Sequence, residues 1–300
     1  MDAKEKATEE CPHKEESMEE AKQENSTLDT IFELVDQLEK LRGTRVFAYL
    51  LIPMTLGRDL VEETYELLEG GYKDTKDLDV LVTSGGGDIH SAYHLAKLFR
   101  RYAEGKLRFI VPRYAKSAAT LLTFGGDEIV FGPASELGPL DPQIALPPDD
   151  SGRPMQRFSP LAIRPTLDLI AEENEKGHKI LVEKLSSSLP EALILGQHLK
   201  GLEIAKHYVT KLLTTRMLKG KKSAGKIANN IGEQLVSGYP DHGCCIDYDE
   251  SVSLGLNISM APADQWQIVW SIWKHAQKYM EESSERATDA SNSKHDILDV

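Results

Sequence analysis

Apolar positions along this chain follow two rhythms. Short continuous runs, rich in β-branched and aromatic residues, occur at Arg45–Ile52, Asp79–Thr83, Leu107–Val111 and Glu128–Phe131, and read as buried strands. Between them lie segments of helical period: Leu60–Leu68, closed by Gly70-Gly71, then Ile89–Tyr102, then a short apolar helix from Ser117 to Phe124. Strand–helix alternation at this spacing predicts parallel βαβ units and an α/β fold. Upstream, Leu28, Ile31, Phe32 and Val35 sit at i, i+3, i+4 and i+7. With Ser26-Thr27 to cap it and Gly43 to stop it, that stretch is an amphipathic helix.

The texture changes beyond the Pro147–Gly152 loop. Residues 161–218 are helical and strand-poor, broken by Pro190, and a further helix is expected from Ser223 to Val236. Asp264 is placed to cap a final amphipathic helix reaching Met280 and carrying Trp266, Val269, Trp270 and Trp273. Residues 1–26 are charged and poor in large apolar groups, the composition of a disordered acidic tail, and 281–300 read as a flexible C-terminal tail. The expected organisation is therefore a core of 27–160 with 237–280 and a helical extension over 161–236. No internal repeat is visible.

Composition narrows the function. The chain has 300 residues, 40% of them hydrophobic, and a formal net charge of −13. It offers no basic stripe to displace phosphate counterions, so a nucleic-acid partner is not expected. The basic turn Lys219-Gly220-Lys221-Lys222 reads as a solvated loop. Cys11, Cys244 and Cys245 form neither a disulfide framework nor a CxxC zinc pair. The N-terminus lacks the apolar core of a signal peptide, and no run is long enough to span a bilayer. A cytoplasmic protein without membrane partner or cofactor is expected.

Two turns carry the candidate chemistry. Ser84-Gly85-Gly86-Gly87-Asp88 follows the second strand, and Ala115-Lys116-Ser117-Ala118-Ala119-Thr120 follows the third. In parallel sheets such strand ends are where sites form. A glycine corner frees backbone N–H groups for an anion, and a serine turn presents a hydroxyl; together they are the parts of an acyl-transfer site. Neither GxxxxGK[ST], GxGxxG nor GxSxG is present. Read blandly, Ser117 is a helix N-cap and the glycines a tight turn. Lys116 adjoins Ser117 as one candidate base. His90 and His94 lie one helical turn apart and read as a solvated or packed face rather than a metal pair.

The runs Val111–Thr120, Gly126–Pro133 and Glu136–Gln143 resemble the serine dehydrogenase proteinase family, within the Clp/crotonase-fold serine peptidases that include the Clp proteolytic subunit and signal peptide peptidase A. The resemblance covers roughly residues 45–145 and, more weakly, 236–258. It implies a repeated ββα core with a mostly parallel sheet, a peptide or protein substrate and a homo-oligomer. It also implies Ser117 as nucleophile, with an oxyanion hole from the N–H groups of Gly86 (or Gly87) and Ala118. Gly85 stands where that superfamily has proline. Clp subunits place a histidine downstream of the serine, in the stretch that here holds Leu140, Asp141 and Pro142. His242, in Tyr239–Ile246, takes its place as candidate general base with Asp141 as orienting carboxylate. The function expected is that of a serine peptidase. A catalytically inactive scaffold and a crotonase-like acyl-CoA enzyme are the alternatives.

Overall fold

The computed structural model describes residues 12–50, 55–140, 144–146, 156–189 and 192–296. Along the chain, α1 (Pro12–Arg42) leads into β1 (Arg45–Leu50), α2 (Arg58–Gly71), β2 (Leu78–Thr83), α3 (Ile89–Tyr102) and β3 (Leu107–Val111). Then come β4 (Tyr114–Ala115), α4 (Ala118–Thr123), β5 (Glu128–Phe131), β6 (Glu136–Leu137), β7 (Ile144–Leu146) and β8 (Gln156–Phe158). Helices follow: α5 (Ile163–Glu175), α6 (Lys179–Ser187), α7 (Ala192–Thr215), α8 (Ala224–Ser237) and α9 (Tyr248–Ser253). β9 (Ile258–Met260) and α10 (Ala263–Asp296) complete the described chain.

Two compact units result, residues 44–261 and the pair of segments 1–43 with 262–300. In the larger unit, β1, β2, β3, β5 and β9 form one sheet in that order, every neighbouring pair parallel. All six residues of β2 are buried, as expected of a central parallel strand covered on both faces. That burial includes Asp79, whose carboxylate sits 3.1 Å from the Arg108 guanidinium. Arg108 is in register with Asp79 on one side and Glu128 on the other, so a buried charge is matched across three strands.

The sheet is α/β and mostly parallel, with a helical extension, as the alternation implied. Over the described part of 161–237 the chain is helical. α7 buries Leu202, Ala205, Val209, Leu212 and Leu213, the helical-period stripe of an element packed along one face. Arg100 of α3 fastens it, donating to Leu212 O (2.7 Å) and Thr215 Oγ1 (2.8 Å) as well as to Gly125 O (2.6 Å). Tyr208 of α7 stacks on Tyr93 and contacts His90 Nδ1 at 2.9 Å. By contrast α5 buries only Ile163 and α6 nothing, while Leu167, Leu169, Ile180 and Leu181 are exposed.

In the smaller unit, α1 and α10 pack together, with Leu38, Val269, Ile272 and Trp273 buried. Trp266, Trp270 and Trp273 form a ladder along α10, ring centroids 5.8 and 4.6 Å apart. α1 starts at Pro12 and α10 extends to Asp296, so helix enters both segments expected to lack order. Those stretches are polar, but Glu and Lys at helical spacing support a helix that a hydrophobicity criterion misses. Among the described residues no helix is long and apolar enough to cross a membrane.

Candidate active site

The two turns lie side by side at the carboxyl end of the sheet. Ser84 N donates to Tyr114 O (3.0 Å) and Lys116 N donates to Ser84 O (2.9 Å), so the end of β2 runs parallel to β4. Ser117 then adopts φ 50° and ψ −123°, outside the regions open to ordinary L-residues. It occupies the cap position of α4, yet its hydroxyl makes no capping hydrogen bond. Every residue of α4 behind it is buried. A strained serine on a buried pedestal, itself partly exposed, is held for something other than helix capping.

Gly86 is the residue facing it. With φ +108°, a Cβ added at Gly86 would lie 2.9 Å from Ser117 Cβ, 2.9 Å from Lys116 O and 3.2 Å from Ala118 N. Only glycine permits this approach. The Gly86 N–H donates to the buried Ser84 Oγ at 3.1 Å. Gly87 (φ +146°) lies against Leu56, whose N–H bonds Gly86 O and whose carbonyl takes the Asp88 N–H, both at 2.8 Å. A residue flanked by two such bonds turns its own N–H to the opposite side. Asp88 caps α3 by accepting from Ser91 N (2.8 Å), which fixes the exit of the glycine turn. The Gly87 and Ala118 N–H groups have no acceptor among the described residues.

Lys116 turns away from the serine. Its ammonium donates to Leu137 O and Cys244 O, both at 3.1 Å, and lies 3.4 Å from Glu136 Oε1. Its proton donors are thus committed to acceptors on the far side of the turn. Thr120, fully buried, donates to Ala115 O (2.6 Å) and accepts from Gly138 N (3.1 Å), knitting the same region.

The half-buried His242 stands in a loop docked to this region. Ile246 pairs with Leu137 through reciprocal backbone bonds of 2.9 and 3.1 Å, and Asp241 Oδ1 accepts from Gly243 N (2.7 Å) to set the turn around His242. Asp141 lies outside the described residues. His90 is engaged with Tyr208, and no group of three potential metal ligands occurs among the described residues.

Burial works against the Glu136 charge. The Cys245 thiol, Lys116 and Arg113 outweigh it and hold the carboxyl below the usual glutamate value. Burial, with the Glu136 carboxylate alongside, pushes the Cys245 thiol up to about 11. Sequence reasoning missed Glu136, Gly138, Thr120 and Cys245, because their roles depend on segments far apart in the chain meeting. The one local signal was a lysine set inside an otherwise small-residue turn.

One comparison with known proteins falls on this region. Residues 61–157 match the ClpP-like SDH-type serine proteinases. An uncharacterized protein of Methanocaldococcus jannaschii is 24% identical over 252 residues, spanning 83% of this chain and 74% of its own length. A second from the same organism is 23% identical over 236 residues, spanning 75% and 70%. Among solved structures, a 1510-N membrane-bound stomatin-specific protease in complex with a substrate peptide aligns with a TM-score of 0.43 at 12% identity, over 73% of this chain and 76% of that one. ClpP1 from Listeria monocytogenes aligns with a TM-score of 0.39 at 10% identity, over 76% and 98%. In the segment that holds the glycine turn, Ser117 and Gly138, the chain thus matches the ClpP-like SDH-type serine proteinases, the family its motifs resemble.

Proposed function

We propose that the protein is a serine peptidase acting through an acyl-enzyme on Ser117. The observation that carries this is the strained Ser117 backbone, φ 50° and ψ −123°, held against Gly86 with its hydroxyl free of any capping role. In the proposed sequence Ser117 Oγ attacks the scissile carbonyl while His242 accepts the hydroxyl proton. The carbonyl oxygen becomes an oxyanion held by the Ala118 N–H and by an amide of the glycine turn. Because the Gly86 N–H is engaged with Ser84 Oγ, Gly87 supplies that second donor, and Gly86 supplies the close approach. The leaving amine takes the proton from His242, and water then releases the acyl group by the same route in reverse. Asp141 orients His242 in this scheme.

The substrate is a peptide or protein, and the enzyme works as a cytoplasmic homo-oligomer. Exposed Leu167 and Leu169 on α5 and Ile180 and Leu181 on α6 support contact with a further protein surface.

Labelling by a fluorophosphonate, with the modified peptide mapped by mass spectrometry, tests the reading. The expected adduct is on Ser117 and vanishes in Ser117→Ala. A well-folded protein that takes no label would overturn the peptidase in favour of a scaffold. Stabilisation by a CoA thioester instead would identify an acyl-CoA enzyme.

A further inference from the structure

Lys116 is the side chain that joins three separate pieces of the site, and nothing in the proposed mechanism uses it. It belongs to the nucleophile turn; its ammonium holds Leu137 O in β6 and Cys244 O in the loop of His242, with Glu136 Oε1 3.4 Å away. An ammonium carries three donors, and three acceptors meet this one. The side chain reaches them by passing under Gly138, where an added Cβ would come 2.4 Å from Lys116 Cδ and 3.4 Å from Lys116 Cα. Glu136, paired with Tyr114 across β4 and β6, is in turn held by the Arg113 guanidinium at 3.2 Å.

We propose that Lys116 is a positioning residue: its ammonium clamps the His242 loop to the Ser117 turn, and Gly138 exists as the opening through which the clamp passes. This rests on the peptidase reading for its catalytic consequence, though not for its structural one. A lysine next to a nucleophile invites assignment as the base. Here its ammonium is engaged by two carbonyls and a carboxylate on the far side of the turn, and redirecting it toward Ser117 would break those contacts. The loop has few backbone ties at this point. Between Gly238 and Ile246, its backbone bonds to the rest of the protein begin only with the Leu137–Ile246 pair. Without Lys116 the Cys244 carbonyl loses this donor, and the loop carrying His242 loses a tie to the Ser117 turn.

The test uses the full chain and two independent readouts. Lys116→Met keeps the length of the side chain and removes the ammonium, while Gly138→Ala keeps the ammonium and blocks its path. The first readout is the rate at which a small aromatic disulfide reagent modifies Cys244 and Cys245 in the folded protein. It should rise at least tenfold in both variants; unchanged rates overturn the clamp. The second is the pH profile of fluorophosphonate labelling of Ser117. Both variants should keep the wild-type midpoint with a plateau about tenfold lower. If Lys116→Met alone abolishes labelling or moves the midpoint, Lys116 is the base and the clamp reading falls. Lack of label on the wild-type protein removes the peptidase reading, and the thiol readout still decides the clamp. Thermal melting separates either result from simple loss of fold.

Discussion

Gly86 and Ser117 touch so closely that a single methyl group on the glycine would lie 2.9 Å from the serine Cβ. Both also hold positive φ, 108° and 50°. Gly86→Ala therefore strains its own backbone and pushes the serine out of line at once. Losing an oxyanion arrangement costs about a hundredfold or more in rate. Fluorophosphonate labelling of Gly86→Ala should fall by at least that factor. Gly85→Ala, where nothing lies within 4 Å of the added Cβ, should label within about twofold of wild type. Equal rates for the two variants would separate the glycine turn from the chemistry.

The conformation of Ser117 stores strain that glycine would release. A residue held in such a region costs about 1–3 kcal/mol, of which roughly 0.5–1 is offset by the greater chain entropy of unfolded glycine. Ser117→Gly should thus be inactive yet melt about 2–4 °C above Ser117→Ala, reflecting a net gain of about 1 kcal/mol. Differential scanning calorimetry reads this directly. A lower melting point for the glycine variant would mean that the serine backbone is not strained.

His242 is the base in the proposed scheme, whereas His90 is engaged with Tyr208 on another face. Peptide turnover should be abolished in His242→Ala and stay within about threefold of wild type in His90→Ala. Near-normal turnover in His242→Ala would remove it from the mechanism.

The Asp79 carboxylate is completely buried, and Arg108 is its cross-strand partner. Removing the guanidinium takes the opposing charge away from a buried carboxylate, at a cost of about 3–5 kcal/mol. Urea denaturation of Arg108→Met should show a loss of that order. The double variant Asp79→Leu/Arg108→Met should recover most of it, because the fully buried carboxylate goes with its partner. If the double variant is as weak as the single, the loss comes from packing rather than from the charge.

Glu136 gives the region a defined response to acid. Its carboxyl titrates below the usual glutamate value of about 4.3. Its ionised form therefore stabilises the fold fully above that pH, and the contribution disappears as pH falls through the lower folded value. The gap in melting temperature between wild type and Glu136→Gln should be constant near neutrality and shrink below about pH 4. The same substitution removes one cause of the raised thiol value at Cys245, so alkylation of Cys245 at pH 8 should speed up. A gap that widens on acidification would contradict the direction of the shift.

The central strands and helices were legible because burial and period coincide there. β3, β5 and α3 occupy the residues that their apolar runs and turn signals imply. Other elements fall below what local pattern can express. β9 is three residues, Ile258-Ser259-Met260, and becomes the fifth strand only by lying beside β5. β4 and β6 have two residues each. Ser117 and the glycine turn could be found from composition and position at strand ends. The destination of the Lys116 side chain could not, since its acceptors lie 21 and 128 residues away and are backbone carbonyls, which any residue type provides. The joint burial of α1 and α10 also depends on chain ends meeting.

α4 has no residue facing solvent, and Ser117 stands at its N-terminal cap. Variation behind the serine is consequently a matter of folding, where a single methyl too many or too few is penalised. In the proposed peptidase, selectivity would be tuned instead at exposed positions bordering the turns, such as Thr55 beside the glycine turn and Asp241 in the His242 loop. Directed evolution of new selectivity would do best to randomise those two borders and leave the pedestal untouched.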